Sequence, residues 1–237
     1  MNSADWHICV LIPASNEEDL LPRCLKSVLV SQSLLPAHVT CDILVVADRC
    51  SDRTRAIAEN LLGPNGMVVN SDAGIVGNSR ALAADVALQR YTGPVDRCWF
   101  ANTDADCCVP RSWLVDQLLL AEEGLEAMAG TIEVDNFAEH IPGLDLLFRA
   151  NYVIHADGSH PHVHGSNLGI RADAYLRAGG WASLSTGEDH DLWRRLELQG
   201  VKRISLDRIR VKTSGRRRGR APHGFADALV GYEKFAV

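Results

Sequence analysis

Apolar runs and helix-spaced apolar positions alternate through the first hundred residues. Residues 7–12 form an apolar run that stops at Pro13, as a strand buried on both faces does. Leu20, Leu21, Cys24, Leu25, Val28 and Leu29 then recur at helical spacing. Ser15 or Asn16 is the expected cap of that helix, with Glu17, Glu18 and Asp19 in its positive first turn. A polar, proline-containing stretch at 31–41 leads to a second apolar run, 42–47. Ser51 or Asp52 can cap the next helix, which carries Thr54, Ile57, Ala58 and Leu61 and stops at Gly63-Pro64. Residues 67–69 read as a third, short strand. The glycine-bearing stretch 73–80 leads into the helix formers of 81–88, and 98–102 is the fourth strand. Four strand–helix alternations predict an α/β fold: a mostly parallel central sheet with helices on both faces.

The second half predicts helices at 113–122, 143–156, 171–178 and 192–199 and a last helix at 222–235. Strands are expected at 127–134, with Gly130 a bulge, at 163–170, and as two short pieces, 201–206 and 209–211. No repeat, low-complexity segment or linker interrupts the chain, so residues 1–237 read as a single domain.

Composition narrows the class. The 237 residues are 46% hydrophobic and 23% charged, as in ordinary globular proteins. Net charge is −6, which gives no general case for nucleic-acid binding. No apolar run approaches the ~18 residues of a membrane span, and the first residues lack a signal-peptide pattern. The seven cysteines contain no C-x-x-C pair, which fits reduced thiols and a cytoplasmic protein. His155, His160, His162 and His164 cluster, but no cysteine or carboxylate stands at a recognised zinc-ligand spacing from them.

Candidate chemistry gathers where the first-half strands end. Glu17, Asp48, Asp52, Arg80, Asp104 and Asp106 all follow strands or lie in the loops there, and parallel sheets bind ligands at their carboxyl ends. Asp104-Ala105-Asp106 puts two carboxylates within reach of one hard divalent cation, Mg²⁺ or Mn²⁺. The adjacent Cys107-Cys108 thiols are soft ligands unsuited to such an ion. A second triplet, Asp189-His190-Asp191, fits a helix start.

These residues resemble family 2 glycosyltransferases with the GT-A fold. Ile12-Pro13-Ala14-Ser15-Asn16-Glu17 is similar to the family's P-x-x-N-E, and residues 45–54 to its V-V-D-x-x-S-x-D-x-T. Gly77-Asn78-Ser79-Arg80 resembles an altered G-x-x-x-A-R-N, and Asp104-Ala105-Asp106 falls at its D-x-D. Residues 187–196 resemble its E-D-x-x-L-x-x-R-L. The five motifs keep the family's order over about residues 7–200.

The resemblance implies a nucleotide-sugar half at about 1–106 and an acceptor half at about 107–237. It implies transfer of one sugar to an acceptor hydroxyl with inversion, assisted by Mg²⁺ or Mn²⁺. Pro13, Glu17, Asp48, Asp52, Arg80 and Asp104 would bind the nucleotide, Asp106 the metal, and Asp189 would be the catalytic base. His223 is a candidate metal ligand. Glu188, Arg217 and Arg218 are candidates for the acceptor or the diphosphate. The basic run 216–220 can be a solvated loop, a mobile lid that closes on the diphosphate, or a segment that meets an anionic acceptor or a membrane surface as a peripheral contact. Two other functions share parts of this pattern. A nucleotidyltransferase would carry glycine and arginine in its first loop, and 13–17 has neither. A non-catalytic nucleotide-sugar binder would have no need of Asp104, Asp106 and Asp189 together.

Overall fold

The computed structural model describes residues 5–234. Residues 1–4, part of the stretch read for a leader, and Phe235, the expected end of the last helix, lie outside it.

Four strands and three helices alternate first: β1 (His7–Ala14), α1 (Leu21–Gln32), β2 (Thr40–Asp48), α2 (Thr54–Leu62), β3 (Gly66–Ser71), α3 (Val76–Arg90) and β4 (Cys98–Asn102). There follow α4 (Trp113–Glu122), β5 (Ala127–Val134), α5 (Leu144–Asn151), β6 (Leu168–Arg171), α6 (Ala172–Arg177), α7 (Glu188–Leu198), β7 (Arg203–Thr213) and α8 (Phe225–Glu233). The strands form one sheet in the order β3-β2-β1-β4-β6-β5-β7. Only β6 runs antiparallel to its neighbours, so the other strands share one carboxyl rim.

The continuous apolar run of β1 is explained by burial on both sides. Ile8, Val10 and Ile12 face a core built with α1, α2 and α4, while Cys9 and Leu11 face a second core built with α3, α6 and α7. Each fully buried Ile or Leu contributes roughly 1.5–3 kcal/mol. A third, small cluster joins Val134, Phe148 and Leu229 with Phe137, Tyr152, Phe225 and Tyr232. It docks α8 on α5 and so holds the preceding strap, residues 214–224, over the carboxyl rim.

Several boundaries differ from the sequence pattern for local reasons. Neither Ser15 nor Asn16 caps α1, which begins at Leu21 with Pro22 in its first turn. Asn16 takes a left-handed φ of 52°. Its Oδ1 accepts from the N–H groups of Ser51 (2.8 Å) and Asp52 (3.3 Å), so it ties the loop after β1 to the loop after β2. Helix α3 begins at Val76, earlier than expected, because Gly77 lets its first turn press against the carbonyl of Ala182. Helix α5 stops at Asn151, before the β-branched pair Val153-Ile154. Strand β6 is short because Gly165–Asn167 form one tight 3₁₀ turn before it.

The two expected C-terminal strands are one, β7, which shifts register against β5 at Gly130/Thr131. Asn167 serves that irregularity: its Nδ2 donates to the carbonyls of Thr131 (2.8 Å) and Ile209 (2.9 Å). A side chain at position 130 would collide with it. Among the described residues, no helix is long and apolar enough to cross a membrane.

Candidate functional site

A cavity opens on the carboxyl rim. Pro13 near the end of β1, Glu17 after it, Asp48 at the end of β2, Gly74 before α3, and Asp104 and Asp106 after β4 line its floor. Ser214, Arg216 and Arg220 of the strap and Phe225 of α8 close it from above.

At one end stands Asp48, 6% exposed. Its Oδ1 accepts from the N–H of Gly74 at 3.1 Å. Gly74 has a φ of +63°, and a side chain there would run into the guanidinium of Arg49. Glycine is thus required where the backbone closes over Asp48.

Three carboxylates converge at the other end. Glu17 is 5% exposed, and its backbone N–H donates to Thr54 Oγ1 at 2.7 Å, which fixes the loop. Arg216 Nη1 donates to one Glu17 oxygen at 2.9 Å and Nη2 lies 2.8 Å from the other. The same Nη2 lies 3.0 Å from Asp106 Oδ2. Burial pushes the Asp106 carboxyl up to about 6, against the pull of Arg216 and with the push of Asp104 and Glu17.

Among the described residues, Asp104, Asp106 and Cys107 are the one group of three or more His, Cys, Asp or Glu side chains whose ligand atoms lie within 4.8 Å of one another. Burial first, then the two aspartates, hold the Cys107 thiol well above its usual range, so it stays protonated. The usable donors are carboxylate oxygens, which suits a hard divalent cation.

Beneath the floor lies Arg80, 2% exposed. Its Nη2 donates to Asp104 Oδ1 at 2.6 Å and its Nε to Glu188 Oε1 at 3.1 Å. Burial opposes its charge, but Asp104, Glu188 and Asp189 outweigh that and raise its pKa. Glu188, at the start of α7, is pushed up by burial and drawn down by Arg80. Asp189 follows it, with Oδ2 accepting from the N–H of Gly165 at 2.8 Å.

The family model described as Glycosyl transferase family 2 matches residues 9–177. The chain belongs to that family. Its fold is the GT-A arrangement.

Solved structures give the same fold. Staphylococcus aureus TarS 1-349 in complex with UDP-GlcNAc superposes with a TM-score of 0.66 at 18% identity, over 90% of this chain and 60% of that one. The mannosyltransferase PcManGT from Pyrobaculum calidifontis, in complex with GDP-Man and Mn²⁺, gives 0.65 at 19% identity, over 92% and 59%. A second S. aureus TarS structure gives 0.64 at 15% identity, over 88% of this chain and 36% of that one. The chain thus spans between about a third and three fifths of these relatives' length. No curated protein matches it significantly in sequence.

Within this family 2 chain, the residues singled out by the motifs fall into three groups. Pro13, Glu17, Asp48, Asp104 and Asp106 line the cavity together. Arg80, Glu188 and Asp189 do not line it; Arg80 joins Glu188 to Asp104, and Asp189 follows Glu188 in α7. Asp52, His223, Arg217 and Arg218 do not line it. Asp52 instead braces loops: its Oδ1 accepts from Thr54 N–H (2.9 Å) and its Oδ2 from Glu18 N–H (3.1 Å). His223 is exposed on the strap with a φ of 56°, and its N–H donates to Asp227 at 2.8 Å. Arg217 turns away to form a two-pronged pair with Glu233, at 2.6 and 2.7 Å. Arg218 is exposed.

Of the basic run 216–220, Arg216 and Arg220 line the cavity, and Arg216 reaches deepest among its carboxylates. The signal for Arg216 is the preceding Gly215, whose N–H donates to Asp135 Oδ1 (3.0 Å) and whose carbonyl accepts from His140 (2.9 Å). A side chain at 215 would strike the carbonyl of Asn136. The pinned glycine fixes which arginine faces inward.

Proposed function

We propose that the enzyme moves a single sugar from a nucleoside-diphosphate donor to an acceptor hydroxyl with inversion, assisted by Mg²⁺ or Mn²⁺. The observation that carries this reading is the convergence of Glu17, Asp104 and Asp106 on one cavity floor, with an arginine facing them from the strap. Structures of similar fold hold UDP-GlcNAc, or GDP-Man with Mn²⁺, which supports a donor of this class.

In this reading, the free oxygen of Asp48 accepts a ring N–H from the base. Uracil and guanine both carry one there. Glu17 and Asp104 face the ribose side of the nucleotide, and Asp106 with Asp104 holds the cation. The bound cation would neutralise charge on the departing diphosphate without any proton transfer. Arg216, released from Glu17, turns to the diphosphate, for which a guanidinium is well shaped. Asp189 removes the proton of the acceptor hydroxyl as that oxygen attacks the anomeric carbon. The backbone N–H of Gly165 holds the carboxylate in one orientation for that step. The displacement is direct, so the sugar forms no bond to the protein. His223 would meet the cation only after the strap shifts.

The test is release of nucleoside diphosphate from UDP-GlcNAc and GDP-mannose, with and without Mn²⁺. Cation-dependent release that falls at least about a hundredfold in Asp189→Asn supports the reading, since positioned bases contribute about 10²–10⁴-fold. Pyrophosphate release from a nucleoside triphosphate and a sugar phosphate would contradict it.

A further inference from the structure

We infer that Arg80 is a positioning residue that sets Asp189 against Asp104, and not a contact to the nucleotide base. The inference rests on the reading of Asp189 as the catalytic base.

Val76 and Ser79, in the same turn of α3, line the cavity, but the Arg80 side chain does not. It lies under the floor, 2% exposed, with the ring of Trp181 5.3 Å from its carbon Cζ. From there it touches three elements at once. Nη2 reaches Asp104 after β4 at 2.6 Å, and Nε reaches Glu188 at the start of α7 at 3.1 Å. The third contact is Gly165, where a Cβ would stand only 2.5 Å from Nη2. The backbone of Gly165 is therefore pressed against the guanidinium. That same residue supplies the N–H that holds Asp189 Oδ2 at 2.8 Å. Arg80 thus touches Asp104, the residue preceding Asp189, and the peptide that aims Asp189.

Keeping this charge buried is not a cheap source of stability, because an apolar replacement of a buried ion pair is often neutral or better. What the guanidinium provides is geometry. Its planar fork can meet two carboxylates in fixed directions, which a single ammonium cannot. A shift of the base by about 1 Å is enough to cost roughly a hundredfold in rate. Gly77 adds a second tie between the same regions, since its N–H donates to the carbonyl of Leu184 at 3.2 Å.

The test uses Arg80→Lys, Glu188→Gln, their double variant and Asp189→Asn in the full chain, with folding checked by melting. Two readouts are taken. The first is hydrogen exchange of peptides covering 163–168 and 186–190, which needs no turnover. Arg80→Lys should speed exchange there and leave 44–48 unchanged; unchanged exchange at 163–168 overturns the inference. The second is the split between rate and binding for UDP-GlcNAc and GDP-mannose. Arg80→Lys should lower kcat about a hundredfold while the Kd of UDP or GDP moves less than threefold. The double variant should lose little more than either single, because the two act through one contact. Weakened nucleotide binding with kcat intact makes Arg80 a nucleotide contact and overturns the inference. If Arg80→Lys does not fold, Glu188→Gln decides on the same two readouts. An inactive Asp189→Asn beside a fully active Arg80→Lys sinks this inference alone. A fully active Asp189→Asn removes the base assignment on which it rests.

Discussion

Arg216 grips Glu17 with both arms of its guanidinium, at 2.9 and 2.8 Å, and reaches Asp106 with one of them at 3.0 Å. One strap arginine thereby pairs with the buried Glu17 and with Asp106, a carboxylate of the seat proposed for the cation. Cation and arginine cannot hold Asp106 Oδ2 in the same way at the same time.

Removing the arginine should therefore open the seat. In Arg216→Ala, Mn²⁺ alone should bind about tenfold more tightly than to the parent protein, within the usual range of coupling between sites. Titration followed by the paramagnetic resonance of free Mn²⁺ measures this. The variant should also lose up to about 3 kcal/mol of stability without metal, because Glu17 is left buried without its main partner. Mn²⁺ should restore the loss. An unchanged Mn²⁺ affinity would mean that Arg216 does not occupy the cation's place.

Asp106 carries a stability cost that depends on pH. Its carboxyl lies at about 6 in the fold against an ordinary 3.8. The folded state therefore holds a proton between those values that the unfolded chain has lost. Stability falls as pH rises through that window, by about 3 kcal/mol at most, since each unit is worth ~1.4 kcal/mol. Asp106→Asn should raise the melting temperature at pH 7.5 while abolishing metal-dependent turnover. The gain should shrink toward zero near pH 4, and a gain that grows on acidification would contradict the assignment.

Asp48 and Asp52 should behave differently although both lie at the carboxyl end of β2. Asp48→Ala is expected to weaken nucleoside diphosphate binding about tenfold or more, as loss of a charged hydrogen-bond acceptor does. Asp52→Ala should cost about 1 kcal/mol of stability, as loss of a helix-start hydrogen bond does, with a smaller effect on binding. Calorimetry and thermal melts on the two variants separate the roles.

The strap depends on the aromatic cluster that anchors α8. Phe148 packs against Phe137, Tyr152, Phe225 and Tyr232 at centroid distances of 5.2–6.1 Å. Phe148→Ala should cost about 3–5 kcal/mol. It should also raise the donor KM more than it lowers kcat, because α8 holds the strap in place. Equal KM in the variant would detach the strap from donor binding.

The alternating core was legible because each sheet strand has a face to fill on either side: the run from Ile8 to Ile12 needs no partner information to read as buried. The carboxylates after β1, β2 and β4 were legible for the same reason, since a parallel strand can end only at the ligand rim. What the sequence left open are contacts between distant segments. Nothing near Asn16 says that its amide braces Ser51, so it read as a cap. Nothing near Arg80 says that a glycine 85 residues later makes room for it. In the run 216–220 the arginines are equivalent on paper, and only the pinning of Gly215 by Asp135 and His140 turns Arg216 inward and Arg217 toward Glu233.

The most direct measurement is a calorimetric titration of UDP and GDP into the protein, with and without Mn²⁺, repeated on Asp106→Ala. One of the two should bind, Mn²⁺ should tighten it by about tenfold or more, and Asp106→Ala should remove the tightening. Binding of neither nucleotide to the folded protein, or binding that ignores both Mn²⁺ and Asp106, would contradict the proposed function.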